Sequence, residues 1–283
     1  MKKFSVILLL LIGKIYGQAQ SDINFYFGKV EYINATVNLI DGKRLLGEVQ
    51  DFDSPNFIEF TNPYDFNPST LESNNNLDRK KIKFRRNASE KYRTIPSDSI
   101  NYITYFDKDL NKVKEFKRLH ILKAKSNGEI VDSGNTVFLP LIKNDSINFY
   151  GYNITIKGTG KYARTVFYMN NPKDNFAINP LDFSLMDLMG NKSKIHSKVI
   201  NAIKAIVKDC PDFTSKLETK QDVTKEMEKD ALQKYQEMEK QIAEGKNKLK
   251  SKKEKNAFEA EVYSDYNLRP FLNLTDDYKK MCK

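Results

Sequence analysis

VNLIDGKRLLGEVQDFDSPNFIEF, from Val37 to Phe60, reads as three short strands joined by two tight turns. Residues 35–40 alternate apolar and polar side chains, the period of a strand with one buried face. Asp41-Gly42 is a hairpin turn signal, because glycine tolerates the backbone that such turns need. Arg44 to Phe52 returns as a second strand, with Gly47 marking a strong bend. Asp53 to Asn56 turns again and Phe57 to Phe60 is a third strand.

The strand pattern continues on either side of a loop. Asn62 to Asp78 holds Pro63, Pro68 and three consecutive asparagines, Asn74 to Asn76, which predict a connection without regular structure. Lys80 to Arg86 alternates, with Ile82 and Phe84 on one face and Lys81, Lys83 and Arg85 on the other. Tyr92 to Ile95 returns from it, and Ile100 to Phe106 closes the block. A second block predicts strands at Lys117–Lys123, Glu129–Val131, Thr136–Ile142, Ser146–Ile156 and Tyr162–Met169, with turns at Asn127-Gly128 and at Ser133-Gly134-Asn135. Asp98-Ser-Ile-Asn-Tyr102 is echoed by Asp145-Ser-Ile-Asn-Phe149, too short a match to establish a repeat.

After residue 182 the composition shifts to Lys, Glu, Ala, Leu and Met, which favours helix. Leu181 to Met189 predicts a short apolar helix after Pro180. Ser193 to Asp209 follows, with Ile195, Val199, Ile203 and Ile206 at helical spacing, and Phe213 and Leu217 are expected to pack back on the body. From Thr219 to Tyr263 the chain is densely charged. Ala231, Tyr235, Met238, Ile242, Gly245 and Leu249 form a weak heptad stripe, read as a solvated long helix or as a coiled-coil seam. The remaining tail either docks or stays disordered.

These blocks predict an α+β chain: residues 20–110 as a small β-barrel, 111–175 as a further antiparallel β segment, 176–218 as helical, and 219–283 as a long charged helix with a tail. The string Val37-x-Leu39-x-Asp41-Gly42-Lys43, then Gly47-x-Val49-x-x-Phe52-Asp53 and Asn56-Phe57, resembles the first motif of Sm-like barrels. Ile95-Pro96 with Ile100 and Ile103 resembles the second half. The resemblance covers residues 35–106 and implies a barrel of five bent strands. It also implies RNA contacts in the loops after the third and fourth strands. Here Asn56 is followed by Phe57, and Pro96 and Ser97 stand where the family has an Arg-Gly pair, so nucleic acid is not the expected partner. The whole chain also resembles uncharacterised secreted bacterial proteins that end a helix with a phrase like Lys208-Asp-Cys-Pro-Asp-Phe213.

The N-terminus points to export. Lys2 and Lys3 precede the apolar run Val6 to Ile12, which is too short to span a bilayer, and Gly17 and Ala19 offer small residues for cleavage. Residues 1–19 are read as a signal peptide, the alternative being an uncleaved anchor, and no later segment reads as a membrane helix. The protein is expected to be periplasmic, on the outer surface or extracellular. Removing Lys2, Lys3 and Lys14 lowers the formal charge from +10 to +7. In an oxidising compartment the two cysteines, Cys210 and Cys282, are candidates for a disulfide; two free thiols are the alternative.

Catalytic patterns are scarce. His120 lies in a strand-like run and reads as a core or edge residue, while His196 is expected to be exposed on a helix. Neither belongs to a paired-histidine zinc motif. Gly158-Thr-Gly160-Lys161 lacks the length of a phosphate loop and is followed by Tyr162, so it reads as a hairpin turn. Asp107-Lys-Asp109-Leu-Asn111 lacks the bend glycine of a calcium loop and has Arg118 where the last carboxylate should stand. No metal, cofactor or catalytic residue is assigned. The densest cationic run is Arg79, Lys80, Lys81, Lys83, Arg85 and Arg86, with Phe84 and Tyr92 nearby. It reads as a candidate site for an anionic glycan or membrane surface, or as an edge strand guarded by charge. The expected function is an exported, non-enzymatic binding or structural protein of the bacterial cell envelope. A hydrolase built from scattered acids, or an assembly factor meeting a protein partner through residues 219–263, are the alternatives.

Overall fold

The computed structural model describes residues 32–50, 56–58, 78–107, 112–156, 162–182, 192–219 and 231–282. The expected export segment, most of the Asn62–Asp78 loop, Gly158–Lys161 and the core of the short helix at 183–189 lie outside them, as do Lys108 to Asn111 of the calcium-like string.

The protein is α+β, with one hydrogen-bonded sheet of 11 strands covered on one side by helices. β1 (Tyr32–Leu39) and β2 (Arg44–Gln50) form the expected hairpin, in register Val37↔Leu45 and Ala35↔Gly47. Its turn is held by the Gly42 amide on the Leu39 carbonyl (3.1 Å) and the Lys43 amide on Asp41 Oδ1 (3.0 Å), with Gly42 at φ +83°. The Lys43 ammonium and amide also hold the Asp41 carboxyl below its ordinary range. β4 (Lys81–Arg85), β5 (Arg93–Pro96) and β6 (Ile100–Asp107) complete the first block, in the order β6-β1-β2-β4-β5. A 3-10 turn, Ser97–Ser99, links β5 to β6 across the sheet. The bend expected at Gly47 has a steric cause. A Cβ there would overlap the Arg85 carbonyl and come within 2.7 Å of the Phe84 ring, so only glycine lets β4 cross β2 this closely.

Several elements depart from the sequence reading, two strands of the sheet first. The third predicted strand is described over Asn56–Ile58 (β3), and it leaves the first block to pair in parallel with β9 at Ile154 to Ile156. Its place beside β2 is taken by β4. In the second block, β7 (Lys112–Ala124) faces β8 (Ile130–Lys143), a single 14-residue strand rather than two strands and a turn. Ser133-Gly134-Asn135 is a bulge within it. Gly134 sits at φ +73°, the Ser133 hydroxyl donates to the Ile121 carbonyl (2.7 Å), and the register shifts between His120 and Leu122.

β9 (Asn148–Ile156), β10 (Tyr162–Asn170) and β11 (Phe176–Ile178) follow. β11, which falls in the stretch read as helical, pairs antiparallel with β10 and parallel with β7. That last pairing closes the five-stranded barrel β7-β8-β9-β10-β11. The closed ring is therefore built by residues 112–178, while the first block forms a curved arc continuous with it through β6 and β7. In so narrow a barrel side chains fill the interior. Leu119, Ile121, Leu139, Tyr150, Tyr152, Ile154, Val166 and Ala177 lie there, continuous with Val37, Val49, Ile82, Phe84, Ile103 and Phe116 of the first block.

Alternation along the same strands turns Phe149, Phe167, Met169 and Ile178 outward, where the helices cover them. α1 (Lys192–Ile206) buries Val199, Ile203 and Ile206 as expected, and α2 (Pro211–Thr219) buries Phe213 and Leu217. Pro211 stands at the first helical position, where its missing N–H costs no bond.

The charged region does not make one long helix. α3 (Ala231–Asn247) and α4 (Lys252–Cys282) fold back on each other, with Tyr235 against Tyr266, Tyr263 on Glu239 (2.6 Å) and Lys246 paired to Glu259. Met238 and Ile242, the centre of the expected coiled-coil stripe, are spent inside the chain against Val262 and Phe258. The tail docks as the second half of α4. Phe271 is fully buried on Phe167, ring centroids 5.0 Å apart, and Ser264 joins Asn153 and Thr165 in a hydrogen-bonded set on the barrel wall. Its end is fastened to the start of α2, where the Cys210 and Cys282 sulfurs lie at bonding distance and their Cα atoms are 5.8 Å apart.

Candidate functional site: a basic hairpin

The cationic run folds as the β4–β5 hairpin, in register Lys81↔Pro96, Lys83↔Thr94 and Phe84↔Arg93. Its alternation is as expected: Ile82, Phe84 and Ile95 enter the core, and Lys81, Lys83 and Arg85 take the other face, about 7 Å apart along the strand. The edge-strand reading is corrected in part: Phe84 and Arg85 pair with β2, while Lys81 to Lys83 pair on the β5 side alone among the described residues.

Not all six cations are equivalent. Arg85 donates through Nε to Glu48 Oε2 (2.6 Å) and its guanidinium lies 4.2 Å from the Tyr32 ring centroid. That geometry neutralises it and assigns it to holding β4 on β2. Lys83 rests over the ring of Tyr92 at 4.9 Å, which leaves a cation and an exposed aromatic side by side. The backbone beneath Arg79 and Lys80 is held by Ser97, whose hydroxyl donates to the Arg79 carbonyl and whose amide donates to the Lys80 carbonyl (2.9 Å). Lys80, Lys81 and Arg86 present exposed head groups. From Arg79 to Arg93 the chain carries eight cations against the single carboxylate of Glu90, a net +7. These 15 residues carry as much net positive charge as the 190 residues that follow them, which hold 33 cations and 26 carboxylates.

The other singled-out residues are structural. His120 Nε2 lies 2.8 Å from Asp132 Oδ1 and its Nδ1 lies 3.1 Å from Thr136 Oγ1, so it braces β7 against β8 beside the bulge. The Gly134 amide, with help from His120, holds the Asp132 carboxyl below its ordinary range. His196 is half-buried on α1 rather than exposed. Arg118 is ion-paired to Asp98. Asp209 has burial raising its pKa, but Lys173 (2.8 Å), Tyr278 (2.9 Å) and Asn171 (3.3 Å) outweigh it and hold the carboxyl low. Among the described residues no cluster of His, Cys, Asp or Glu could hold a metal ion, and no helix is long and apolar enough to cross a membrane.

One concavity was not singled out in the sequence. It opens at one mouth of the barrel, around Glu115 and Lys117 of β7 and Asn148 and Tyr150 of β9. Glu115 and Lys117 sit in a charge-rich stretch, Lys112 to Arg118, broken by Val113 and Phe116, where nothing in the one-dimensional pattern distinguishes them.

The chain matches no protein-family model, no curated protein and no solved structure. The functional reading therefore stands on the chain's own residues.

Proposed function

We propose that the protein is an exported, non-enzymatic binding protein of the bacterial cell envelope, and that its β4–β5 hairpin holds an anionic glycan. One observation carries this reading: a net charge of +7 on Arg79 to Arg93, on a rigid hairpin whose opposite face is anchored in the core. Cations spaced along a strand, with Tyr92 beside Lys83, suit a chain of repeating carboxylate, sulfate or phosphate groups. A membrane surface is less well served, since the hairpin itself offers no apolar ridge beyond the Tyr92 ring. The signal-like N-terminus and the Cys210–Cys282 pairing support export. The order β6-β1-β2-β4-β5 supports an Sm-like origin for the first block, with its charge used outside nucleic acid.

The test is binding of the full chain to dextran sulfate, with neutral dextran and anionic lipid vesicles as parallel arms. Binding to the sulfated polymer is expected to weaken steeply with salt. Changing Lys80, Lys81 and Arg86 to Ser should reduce the slope of log K against log salt by roughly three, one for each cation released. Equal binding to neutral dextran, or an unchanged slope in the triple variant, refutes the reading. Binding to vesicles but not to dextran sulfate would move the site to a lipid headgroup.

A further inference from the structure

The concavity at the barrel mouth has a volume of about 220 Å³. That is smaller than the ~300–1,000 Å³ of clefts for drug-sized ligands, so it suits one small unit and not a polymer. Four strands line it, with β8 adding Leu141. β7 supplies Glu115 and Lys117, two residues apart and so on one face of the strand, and β9 supplies Asn148 and Tyr150 likewise. β6 adds Asn101 and Tyr102, and Tyr102 stands directly opposite Lys117 in the sheet.

The chemistry of this wall is mixed and neutral overall. Glu115 and Lys117 are half-buried, and neither side chain makes a hydrogen bond or a close ion pair among the described residues. Burial raises the Glu115 pKa and lowers that of Lys117, each opposed by the other's charge, so both ionised groups lack part of their solvation. Burial, then the Glu115 charge, pushes the Tyr150 phenol up to about 12, so it stays a neutral donor and acceptor. Asn148 is oriented by its neighbours: its Oδ1 accepts from the Asp145 amide (3.2 Å) and its Nδ2 lies 3.5 Å from Tyr150 Oη. Asn144 adds a third amide to the rim.

We propose that this mouth binds a single neutral, polyhydroxylated ring, a unit the size of a monosaccharide. A hydroxyl group both donates and accepts, so neighbouring hydroxyls can donate to the Glu115 carboxylate while accepting from the Lys117 ammonium. Asparagine side chains match adjacent hydroxyls in the same dual way, and Tyr102 supplies an aromatic surface beside them. A zwitterion would also meet both charges but would use few of the amides. The site is separate from the hairpin, uses none of its cations, and stands whether or not that surface binds glycan.

The experiment is saturation-transfer NMR on the full chain with glucose, galactose and N-acetylglucosamine, with alanine as the zwitterionic arm and inorganic phosphate as the anionic arm. At least one sugar is expected to bind with a dissociation constant of about 1 mM or tighter. Glu115→Gln and Lys117→Met, made separately, should each weaken it by about tenfold with the thermal midpoint unchanged. The variant lacking Lys80, Lys81 and Arg86 should bind the sugar as before. No transfer from any of the three sugars overturns the proposal. So does sugar binding that survives both mouth variants, or tighter binding of alanine or phosphate than of every sugar.

Discussion

Breaking the Cys210–Cys282 link should lower stability by an amount that can be worked from its place in the chain. The two cysteines are 72 residues apart, and the loop between them contains α2, α3 and nearly all of α4. In the chain-entropy model, closing a loop of that length removes disorder from the unfolded state worth about 4.4 kcal/mol. The native side should change little on reduction, because other contacts keep the end of α4 in place. Tyr278 stacks edge-on against Phe213 at 5.7 Å and donates to Asp209, and Lys216 reaches Asp277 at 3.5 Å. The loss should therefore come almost wholly from the unfolded chain. For a protein of this size it corresponds to a fall in thermal midpoint of roughly 7–8 °C.

Thermal unfolding followed by circular dichroism, with and without reductant, measures that fall directly. A Cys210→Ser, Cys282→Ser double variant should match the reduced protein and should not respond to reductant. Alkylation followed by mass measurement counts the thiols independently. Two alkylated cysteines in protein recovered from an oxidising compartment would refute the bond. A midpoint shift below about 3 °C would refute the loop-closure reasoning even with the bond present.

Two further perturbations test the helical layer. Gly245→Ala places a Cβ against the Phe258 ring, at the contact between α3 and α4. Alanine favours helix over glycine by about 1 kcal/mol, and overpacking costs about 1–3 kcal/mol, so a net loss is expected in urea unfolding. A gain would mean that the ring swings aside, and Phe258→Ala should then no longer couple to the change in a double-mutant cycle. Asp209→Asn should cost about 1–3 kcal/mol at neutral pH, by weakening bonds from Lys173 and Tyr278 to a charged acceptor. The folded Asp209 pKa lies below the ordinary 3.8, so its contribution is complete above that value and fades as pH falls through the folded one. Urea midpoints should therefore separate wild type from variant at pH 7 and begin to converge only as pH falls below 3.8; a gap that persists below the folded pKa would show that Asp209 acts by packing and not by charge.

The elements that the sequence revealed are those whose signals are local. Asp41-Gly42 makes its hairpin, Gly47 its close crossing, and Val199, Ile203 and Ile206 their helix face, because each depends on neighbours within a few residues. Cys210 and Cys282 could be paired from the sequence because they are the chain's two cysteines. The break in the charged helix was also written locally, although the heptad stripe masked it. Ser251-Lys-Lys-Glu254 is a capping box, in which the Ser251 hydroxyl accepts from the Glu254 amide (3.1 Å) and the Glu254 carboxylate accepts from the Ser251 amide (2.9 Å). What stayed hidden depends on partners far along the chain. β11 is three residues long and exists because β7 and β10 both have an edge to offer it.

β7 shows why the candidate site at the barrel mouth could not be read from periodicity. A strand in one sheet with one core buries every second residue. Phe116 is buried in the first block, but the next buried residue is Leu119, followed by Ile121. The buried parity switches between Phe116 and Leu119, where β7 ceases to wall the first block and begins to wall the barrel. Lys117 and Arg118 fall at the switch, and both are half-buried. Arg118 resolves its position by pairing with Asp98, whereas Lys117 shares a face with Leu119 and so stands at the end of the barrel interior. A charge at that switch stands at the end of the continuous core that runs from the first block into the barrel. With Glu115 beside it and amides on the neighbouring strands, the mouth presents polar groups at the end of the core and so is a candidate binding site.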